Sequence, residues 1–492
     1  MSQLSFIPIS YFHWGLYALL ISLRFSFVIL QSPGYLHPDE FFQSIELAAY
    51  DLYANFCSIR SWEFEPMGHG PVRSRSSIYP FVHLPIKAVD YLLPPRETQP
   101  LSGVNIFKRL LLPPRFVTTT FSFIPDAFIF YASRKLETQR QHEFPLALLL
   151  YSSMAYGGLL WNTRTLSNVW ESAFVCIFCY LSLQTTFTAL IIQAVVSAWT
   201  FFLRPTFPIF ILPFAGLQLL NMLRSPDRLL NIIFFIPVGL LVVCVSATLL
   251  AFLDTQYYSN SNSMTISNLI VTPIRFLNYN SAEETLGEHG LHPWYHYILI
   301  HWPLMLTPPL ALIALLPPSP RGFNDSLRFA LWLGTIIPTL AFSLVGHKET
   351  RFLFPSVPFA VILAAFRIKR LKFLLVFWIA YQAILVIFWG FVHQAGLISF
   401  LCSIPHMDVD RVSLNIFFKT YMPPRFAFGR PASPHLTIPL ECQKLAPFDP
   451  MGCTRVLDFA GRPVSELTTF LDCLKTYVPV GMIVRIVSRF VL

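Results

Sequence analysis

The segment Tyr35-Leu36-His37-Pro38-Asp39-Glu40-Phe41-Phe42-Gln43-Ser44-Ile45-Glu46 follows the first apolar run of the chain, which extends from Trp14 to Leu30. That run has the length that the hydrocarbon core of a bilayer demands of a helix. The polar region from Gln31 to Arg115 is far too long for a turn between two spans and predicts a functional loop. Adjacent carboxylates placed just outside a membrane therefore suggest chemistry.

A helix is predicted to begin at Pro38 and to continue to about Tyr53. Proline suits a first helical turn, and acids beside it are favoured by the positive end of the helix dipole. In an α-helix, Asp39, Gln43 and Glu46 share one polar face at i, i+4 and i+7. The segment also fits a capped amphipathic helix that lies on the membrane, and both interpretations stay open here.

The composition excludes an ordinary soluble enzyme. Hydrophobic residues make up 54% of the 492 residues and charged residues 12%, which is about half the charged share of a typical soluble domain; the mean hydropathy is +0.55. We predict an all-α polytopic membrane protein with roughly ten or more transmembrane helices and large loops. The apolar runs fall at 12–30, 116–133, 144–161, 172–200, 205–223, 230–252, 294–316, 329–345, 352–366 and 373–392.

The net charge of +9 is spread over short loops between these runs. It does not form a basic patch interleaved with aromatic residues, so no nucleic acid is expected as a partner. The positive-inside rule places the basic loops in the cytoplasm. A membrane domain is then predicted at 1–392, with a first catalytic loop at 31–115 and a second loop at 254–293 on the opposite side. The C-terminal region 393–492 faces that side as well.

The N-terminus lacks the basic region and the cleavage site of a signal peptide, so we expect the first span to be retained as an anchor. In the C-terminal region, disulfides are possible, and the sequence does not give their pairing. The cysteines concerned are Cys402, Cys442, Cys453 and Cys473.

Three groups of cationic side chains are candidates for binding a phosphate. Arg73 and Arg75 follow Trp62-Glu63-Phe64, and a guanidinium offers a planar fork of donors to a phosphate; pairing with nearby acids or lipid headgroups is the alternative. Arg204 interrupts an apolar run, where an arginine needs a partner or a water-lined cavity. The cluster His347-Lys348-Glu349-Thr350-Arg351 has three side chains that can neutralise a phosphate leaving group.

The second loop mixes acids, amides and aromatic residues. Asp254-Thr255-Gln256-Tyr257-Tyr258 suits a sugar, which offers hydroxyls to bond and a C–H face to stack, and it equally suits an interfacial aromatic belt. The four histidines from His289 to His301 match no standard ligand spacing, so no metal site is predicted.

Six motifs follow one another along the chain: His37-Pro38-Asp39-Glu40, Trp62-Glu63-Phe64, Thr165-Leu166-Ser167-Asn168, Arg204-Pro205-Thr206, Asp254-Thr255-Gln256-Tyr257-Tyr258 and His347-Lys348-Glu349-Thr350-Arg351-Phe352. In this order they resemble glycosyltransferase family 22, whose members are endoplasmic-reticulum mannosyltransferases of the GT-C fold. The likeness extends from about residue 12 to 425. The His-Pro-Asp-Glu form is similar to the glycosylphosphatidylinositol (GPI) branch, and Thr420-Tyr421-Met422-Pro423-Pro424 is most like members that add the fourth mannose; members that add the third are the close alternative.

The resemblance implies transfer of mannose from dolichyl phosphate mannose to a 2-hydroxyl of the third mannose of the GPI precursor, with inversion at the transferred carbon. An inverting transfer needs one base for the acceptor hydroxyl. Asp39 is the candidate, and Glu40 is its alternative or a partner that raises its pKa by like-charge repulsion. The lipid-phosphate leaving group would be stabilised without a metal or other cofactor by His347, Lys348, Arg351, Arg73 and Arg204. The expected sugar contacts are His37, Gln43, Glu46, Trp62, Glu63, Asp254, Tyr257 and Tyr258.

The partners implied are therefore the lipid-linked donor, the GPI precursor glycolipid and membrane lipids. A transporter is the alternative from another class, since intramembrane charges can line a translocation path. The carboxylates in a long loop and the lack of a visible repeat argue against it. A non-catalytic scaffold subunit is a third alternative, which would tolerate loss of Asp39.

Overall fold

The structure is a computed structural model in which the chain is mostly helical. It describes residues 7–30, 34–53, 58–66, 70–94, 103–136, 144–184, 186–259, 269–281, 290–318, 325–368, 372–403, 413–428, 456–459, 462–477 and 483–487. The α-helices of this part of the chain are Ile7–Ile29, Glu46–Leu52, Arg75–Leu92, Gly103–Phe121, Phe123–Leu136, Phe144–Ser153, Ser167–Ser182, Phe187–Leu203, Phe207–Arg224, Arg228–Leu230, Ile236–Tyr258, Thr272–Ser281, Trp302–Leu306, Pro308–Leu315, Ser326–Ser343, Val357–Arg367, Lys372–Ile387, Ala395–Ser403 and Val464–Tyr477.

Within the described residues, six helices are long and apolar enough to cross a membrane. A seventh span results if the pair Tyr297–Leu306 and Pro308–Leu315, bent by 116°, is counted as one. Each of these seven coincides with a predicted apolar run. The all-α polytopic fold class is thereby confirmed, whereas the count of ten spans stays a prediction. The six are Phe12–Ile29, Phe207–Arg224, Arg228–Tyr258, Ser326–Ser343, Thr350–Arg367 and Phe373–Val392.

The apolar run predicted as one span at 172–200 is two helices, so that single span is wrong. The chain leaves the helix Ser167–Ser182 and starts a new one at Phe187–Leu203. The side chain of Thr186 accepts a hydrogen bond from the backbone N–H of Ala189 at 3.3 Å. A threonine in this position satisfies one of the free N–H groups of a new helix, which is why the chain can restart there.

The predicted loop helix forms, but it contains a π-helical turn at Phe41–Ile45 before the α-helix Glu46–Leu52. A π-turn closes i→i+5 hydrogen bonds and so holds more residues per turn than an α-helix. Residues on either side of it are rotated away from the alignment that an unbroken α-helix gives. The predicted common face therefore holds for Asp39 and Gln43, whereas Glu46 turns into the protein interior.

The C-terminal region contains a small parallel sheet that the sequence did not predict. Its strands are β1 (Ser413–Phe418), β2 (Val456–Phe459) and β3 (Ile483–Val487), in the order β2-β1-β3. Asn415 pairs with Val456 and with Arg485, which sets the register on both sides of β1. The helix Val464–Tyr477 packs on the sheet through a buried core of Ile416, Leu457, Phe459, Leu467, Phe470 and Leu474.

Cys473, on that helix, is disulfide-bonded, so the tail does contain a disulfide. Cys442 and Cys453, to which the prediction also referred, lie outside the described residues, as does the side chain of Cys402.

The chain divides into two compact units, and neither is continuous in sequence. The first comprises residues 1–27, 62–80 and 116–384, and the second comprises 28–61, 81–115 and 385–492. The predicted boundary at residue 392 separates a membrane domain from a region on one side of the membrane. The division into compact units does not test such a boundary, so it stays a prediction. The two units are described separately below.

Candidate functional site

Asp39 is the exposed member of the predicted acidic pair in the second unit. Its side chain is 22% exposed. Its Oδ2 accepts a hydrogen bond of 2.5 Å from Nε2 of Gln43, one turn along the helix. Its backbone N–H donates to Nδ1 of His37 at 3.2 Å. The carboxylate and the backbone of Asp39 are therefore both held in place while one side of the carboxylate can be reached.

The ring of His37 lies close enough to Asp39 for a second contact, with Nδ1 3.4 Å from Oδ1. One ring nitrogen cannot accept a hydrogen bond from the Asp39 backbone N–H and donate one to the Asp39 carboxylate at the same time. The backbone N–H can only donate and makes the shorter contact, so we assign Nδ1 as an acceptor and the ring proton to Nε2. His37 thus orients Asp39 through the backbone N–H of that residue.

Glu40 points away from solvent and is fully buried. Its Oε1 forms an ion pair with Nε of Arg115 at 2.8 Å, and Arg115 is buried as well. A buried carboxylate that is bound to a guanidinium is poorly placed to take a proton from a substrate. Of the two acids that the sequence left open, this geometry favours Asp39 as the base and gives Glu40 a structural role.

Glu46, predicted as a sugar contact, is fully buried. Its Oε1 accepts the backbone N–H groups of Ile59 at 3.0 Å and of Phe426 at 3.2 Å, and Oε2 accepts the latter at 3.3 Å. Burial raises the pKa of Glu46 to about 8, against the opposing effects of these amides and of Arg425. Its position favours a structural role over contact with a sugar.

This raised pKa predicts how stability depends on pH. The ordinary pKa is 4.5 and the folded value is about 8, so between these values the folded state holds a proton that the unfolded chain releases. The contribution is complete below about pH 4.5 and is lost as pH rises towards 8. We expect the melting temperature of the purified protein to fall by several degrees between pH 5 and pH 8. A Glu46→Gln variant should show a smaller fall; an identical fall in both proteins would contradict the assignment.

The Tyr421-Met422 part of the tail motif lies beside the His37-Pro38-Asp39 segment, within the same unit. The hydroxyl of Tyr35 donates to the carbonyl oxygen of Met422 at 3.1 Å. The ring of Tyr421 lies with its centroid 5.5 Å from that of Tyr35 and 6.5 Å from that of His37. This motif was recognised in the sequence through the family resemblance. The sequence did not indicate which segment the motif contacts.

In the first unit, three buried arginines that were predicted to bind phosphate are each paired with a glutamate. The pairs come from three different motifs, and Glu63 and Glu349 were part of the motifs quoted above. The pairs are Arg73 Nε with Glu63 Oε1 at 3.0 Å, Arg204 Nε with Glu171 Oε2 at 3.3 Å, and Arg351 Nε with Glu349 Oε2.

These three pairs are near one another. Glu171 interacts electrostatically with Arg73 as well as with Arg204. The guanidinium carbons of Arg204 and Arg351 each lie 5.7 Å from the centroid of the Phe352 ring. The structure thus brings together three cations that are separated by up to 278 positions in the sequence, from residue 73 to residue 351.

Two hydrogen bonds support the ion pair between Glu171 and Arg204. Oε1 of Glu171 accepts a hydrogen bond of 2.6 Å from the hydroxyl of Thr206. Ser167 accepts another from Arg204 Nη1 at 3.3 Å. Glu171 was not predicted as a site residue. An acid in a polar stretch between apolar runs could have been recognised as a partner for the intramembrane Arg204.

His347 and Lys348 differ in their availability. His347 is half-buried, and Nε2 contacts Oε1 of Glu349 at 2.9 Å; this hydrogen bond raises the pKa of the imidazole. Lys348 is buried, and its ammonium donates to the carbonyl oxygens of His292, at 2.9 Å, and of Val345. Burial lowers its pKa. His347 can therefore present a positive charge, while Lys348 is committed to the backbone.

Asp254 caps the helix Arg75–Leu92. Its Oδ1 accepts the backbone N–H of Ser76 at 2.9 Å, and its Oδ2 accepts the hydroxyl of Thr272 at 3.1 Å. An acid at a helix N-terminus satisfies free N–H groups and the helix dipole. The predicted sugar contact is thus occupied by protein groups.

The aromatic residues that were predicted to contact a sugar differ in how accessible they are. Tyr258 is buried, and its hydroxyl donates to the carbonyl oxygen of Arg73 at 2.8 Å. Tyr257 is half-buried against the guanidinium of Arg75, 4.7 Å from its ring centroid. Trp62 is 43% exposed and its ring lies against that of Tyr279 at a tilt of 39°, with centroids 4.7 Å apart. Trp62 and Tyr257 therefore remain candidates for stacking on a sugar.

Among the residues that the structure describes, no three His, Cys, Asp or Glu side chains are grouped as a metal ion would require. Of the histidines discussed above, His289 lies outside the described residues. Independence from metal and cofactor stays a prediction.

Residues 15–426 match the Alg9-like mannosyltransferase family. GPI mannosyltransferase 4 from Emericella nidulans is 28% identical over 484 residues, covering 93% of this chain and 81% of that protein. GPI alpha-1,2-mannosyltransferase 4 from Homo sapiens is 26% identical over 510 residues, covering 92% and 82%. The crystal structure of ArnT from Cupriavidus metallidurans in the apo state covers 80% of this chain and 65% of its own, with 12% identity and a TM-score of 0.45. Because the family match spans most of the sequence, the chain belongs to the Alg9-like mannosyltransferase family and is a multi-pass membrane glycosyltransferase.

Proposed function

We propose that this protein transfers mannose from dolichyl phosphate mannose to the 2-hydroxyl of the third mannose of the GPI anchor precursor. The Emericella nidulans relative is named GPI mannosyltransferase 4 and the human relative GPI alpha-1,2-mannosyltransferase 4, and each covers more than nine-tenths of the chain. The observation that carries the chemistry is the contrast within the acidic pair: Asp39 is partly exposed and held by Gln43, whereas Glu40 is buried on Arg115.

In the proposed reaction, Asp39 takes the proton of the acceptor hydroxyl as its oxygen attacks the anomeric carbon of the donor mannose. The bond from that carbon to the phosphate oxygen breaks, and the lipid phosphate leaves with the electron pair. Attack from the side opposite to the leaving group inverts a β-linked donor to an α-linked product. One base suffices, because no covalent sugar–enzyme intermediate has to form.

The departing phosphate gains negative charge, which cations can stabilise in the transition state. Arg73, Arg204 and Arg351 are the proposed partners, assisted by protonated His347. Their glutamates fix the guanidinium planes, so that donors already face in a defined direction before substrate arrives. Fixed arginines and a histidine account for this stabilisation without a metal ion, which we propose is not needed.

We further propose that the protein resides in the endoplasmic reticulum membrane with Asp39 on the lumenal side. The basic loops between spans support this orientation through the positive-inside rule. Single cysteines introduced at exposed positions of 31–115 should be labelled by a membrane-impermeant reagent only after the microsomal membrane is permeabilised. Labelling of intact, sealed microsomes would reverse the orientation.

The function is tested by supplying dolichyl phosphate mannose together with GPI precursors that end in two or in three mannoses. We expect only the three-mannose acceptor to be extended, and we expect an α1,2-specific mannosidase to remove the added sugar. Extension of the two-mannose acceptor would assign the protein to the third-mannose step. Accumulation of either substrate across the membrane without transfer would support a transporter instead.

A further inference from the structure

Two contacts link the helix that begins at Asp39 to one short segment of the C-terminal region, and all of these residues belong to the second unit. The first contact is at the entrance of the helix, where Tyr421 and Met422 lie against His37 and Tyr35. The second is two turns further along, where Glu46 accepts the backbone N–H of Phe426. The sequence separation between the members of this second contact is 380 residues.

In the second contact, the hydrogen bonds to the carboxyl group of Glu46 come from backbone N–H groups, and the positive charge of Arg425 lies near it as well. The N–H groups belong to Ile59, Phe426 and Arg425. A fully buried carboxylate is costly unless its oxygens are hydrogen-bonded. Three backbone N–H groups from two segments meet that requirement, so each segment has one defined position relative to the helix.

Aromatic packing near Glu46 joins the same helix to the C-terminal region. Phe426 is fully buried and stacks on Phe41, with ring centroids 6.4 Å apart. Phe41 is the first residue of the π-helical turn and also meets Tyr35 edge-on, with centroids 4.8 Å apart. The π-helical turn between Asp39 and Glu46 therefore packs, through Phe41, against Tyr35 and against Phe426 of the C-terminal region. π-turns are often found next to functional sites, where they redirect side chains.

We propose that the segment Thr420–Phe428 positions the Asp39 helix for catalysis and that Glu46 is the residue that anchors it. This role rests on the proposed function of Asp39 as the base. Glu46 is a positioning residue: it does not touch the sugar, and it acts by fixing where Asp39 lies. A displacement of a catalytic group by about 1 Å can lower turnover about a hundredfold.

The test compares Glu46→Ala with Glu46→Gln in purified protein, with kcat expressed per folded, monodisperse molecule. Glu46→Ala removes both acceptor oxygens, so we expect kcat to fall about a hundredfold while KM for donor and acceptor changes less than about threefold. Glu46→Gln keeps one oxygen for the amides of Ile59 and Phe426 and should recover most of that loss. Glu466→Gln, an exposed charge removal on the tail helix, is the matched control and should have wild-type kinetics.

Three results would overturn the proposal. Unchanged kcat per folded molecule in Glu46→Ala, with only the folded yield reduced, would make Glu46 merely structural. A raised acceptor KM with unchanged kcat would make it the sugar contact that the sequence predicted. Failure of Glu46→Gln to recover turnover would remove the amide contacts as the cause. If Glu46→Ala does not fold, Tyr421→Ala takes its place, and it should also lower kcat without raising KM.

Asp39→Asn is measured in the same series to keep two failures apart. If Asp39→Asn retains turnover, the proposed base is wrong and the positioning role falls with it. If Asp39→Asn is inactive while Glu46→Ala and Tyr421→Ala keep wild-type kcat, Asp39 remains the base and only the positioning role fails.

Discussion

Replacement of Asp39 by Asn should lower kcat for mannosyl transfer about a thousandfold, within the range that a general base contributes. The amide has nearly the same shape and can still be held by Gln43, but it cannot take the acceptor proton. Because the change is at a partly exposed side chain, the yield of folded protein should stay close to that of the wild type. The measurement is the initial rate of extension of the three-mannose GPI precursor at saturating dolichyl phosphate mannose.

The matched control for this substitution is Asp472→Asn on the tail helix. It makes the same chemical change at a side chain that is 71% exposed and paired with Lys475 at the surface. It should leave kcat unchanged. Turnover by Asp39→Asn within about tenfold of the wild type would rule Asp39 out as the base, since even the lower end of the general-base contribution is larger.

Glu171→Ala should lower the free energy of unfolding by about 3–5 kcal/mol, which is the usual cost of leaving one member of a buried ion pair without its partner. Both side chains of the pair with Arg204 are almost completely buried. The substitution also removes the acceptor of the Thr206 hydroxyl. The expected result is a large fall in melting temperature and in the yield of folded protein from membranes.

A second variant separates stability from function at this pair. Glu171→Leu combined with Arg204→Met replaces both charges by apolar groups of similar size, and such replacements are often neutral or stabilising. The double variant should therefore recover the melting temperature but not the transfer activity, because Arg204 is proposed to stabilise the leaving phosphate. Recovery of both would show that the pair is only structural. The exposed pair Arg462–Glu466 is the control, whose loss should cost less than about 1 kcal/mol.

The membrane spans were predictable because the signal is local. A run of apolar residues long enough for a bilayer can be recognised without knowing the rest of the fold. Seven of the predicted runs coincide with spans or with the bent pair. The division of 172–200 depended on Thr186, a single capping residue within an otherwise apolar stretch. The tail sheet was missed because its parallel strands are far apart in sequence. Short apolar runs such as Ser413–Phe418 have no distinctive periodicity by themselves.

The candidate site was predictable as a set of residue types but not as a set of roles. The sequence placed Asp39 and Gln43 on one face correctly, because that inference needed only one helical turn. It placed Glu46 on the same face because a π-turn leaves no recognised mark in the sequence. For Arg73 it left open a phosphate or an acid as the partner, and for Arg204 a partner or a water-lined cavity. The structure pairs Arg73, Arg204 and Arg351 each with a glutamate, and which acid each one meets depends on the fold.

The contact between Glu46 and the Phe426 amide also has a consequence for biosynthesis. At about 5–20 residues per second, the ribosome reaches position 426 roughly 20–80 s after position 46. Until then the helix that carries Asp39 lacks two of its amide donors and the aromatic cover of Phe426. A nascent or prematurely terminated chain therefore contains every motif of the loop but not the finished geometry. The Asp39 helix therefore reaches its finished geometry only after residue 426 has been synthesised, so a stop codon just before that position should be as damaging as an early one.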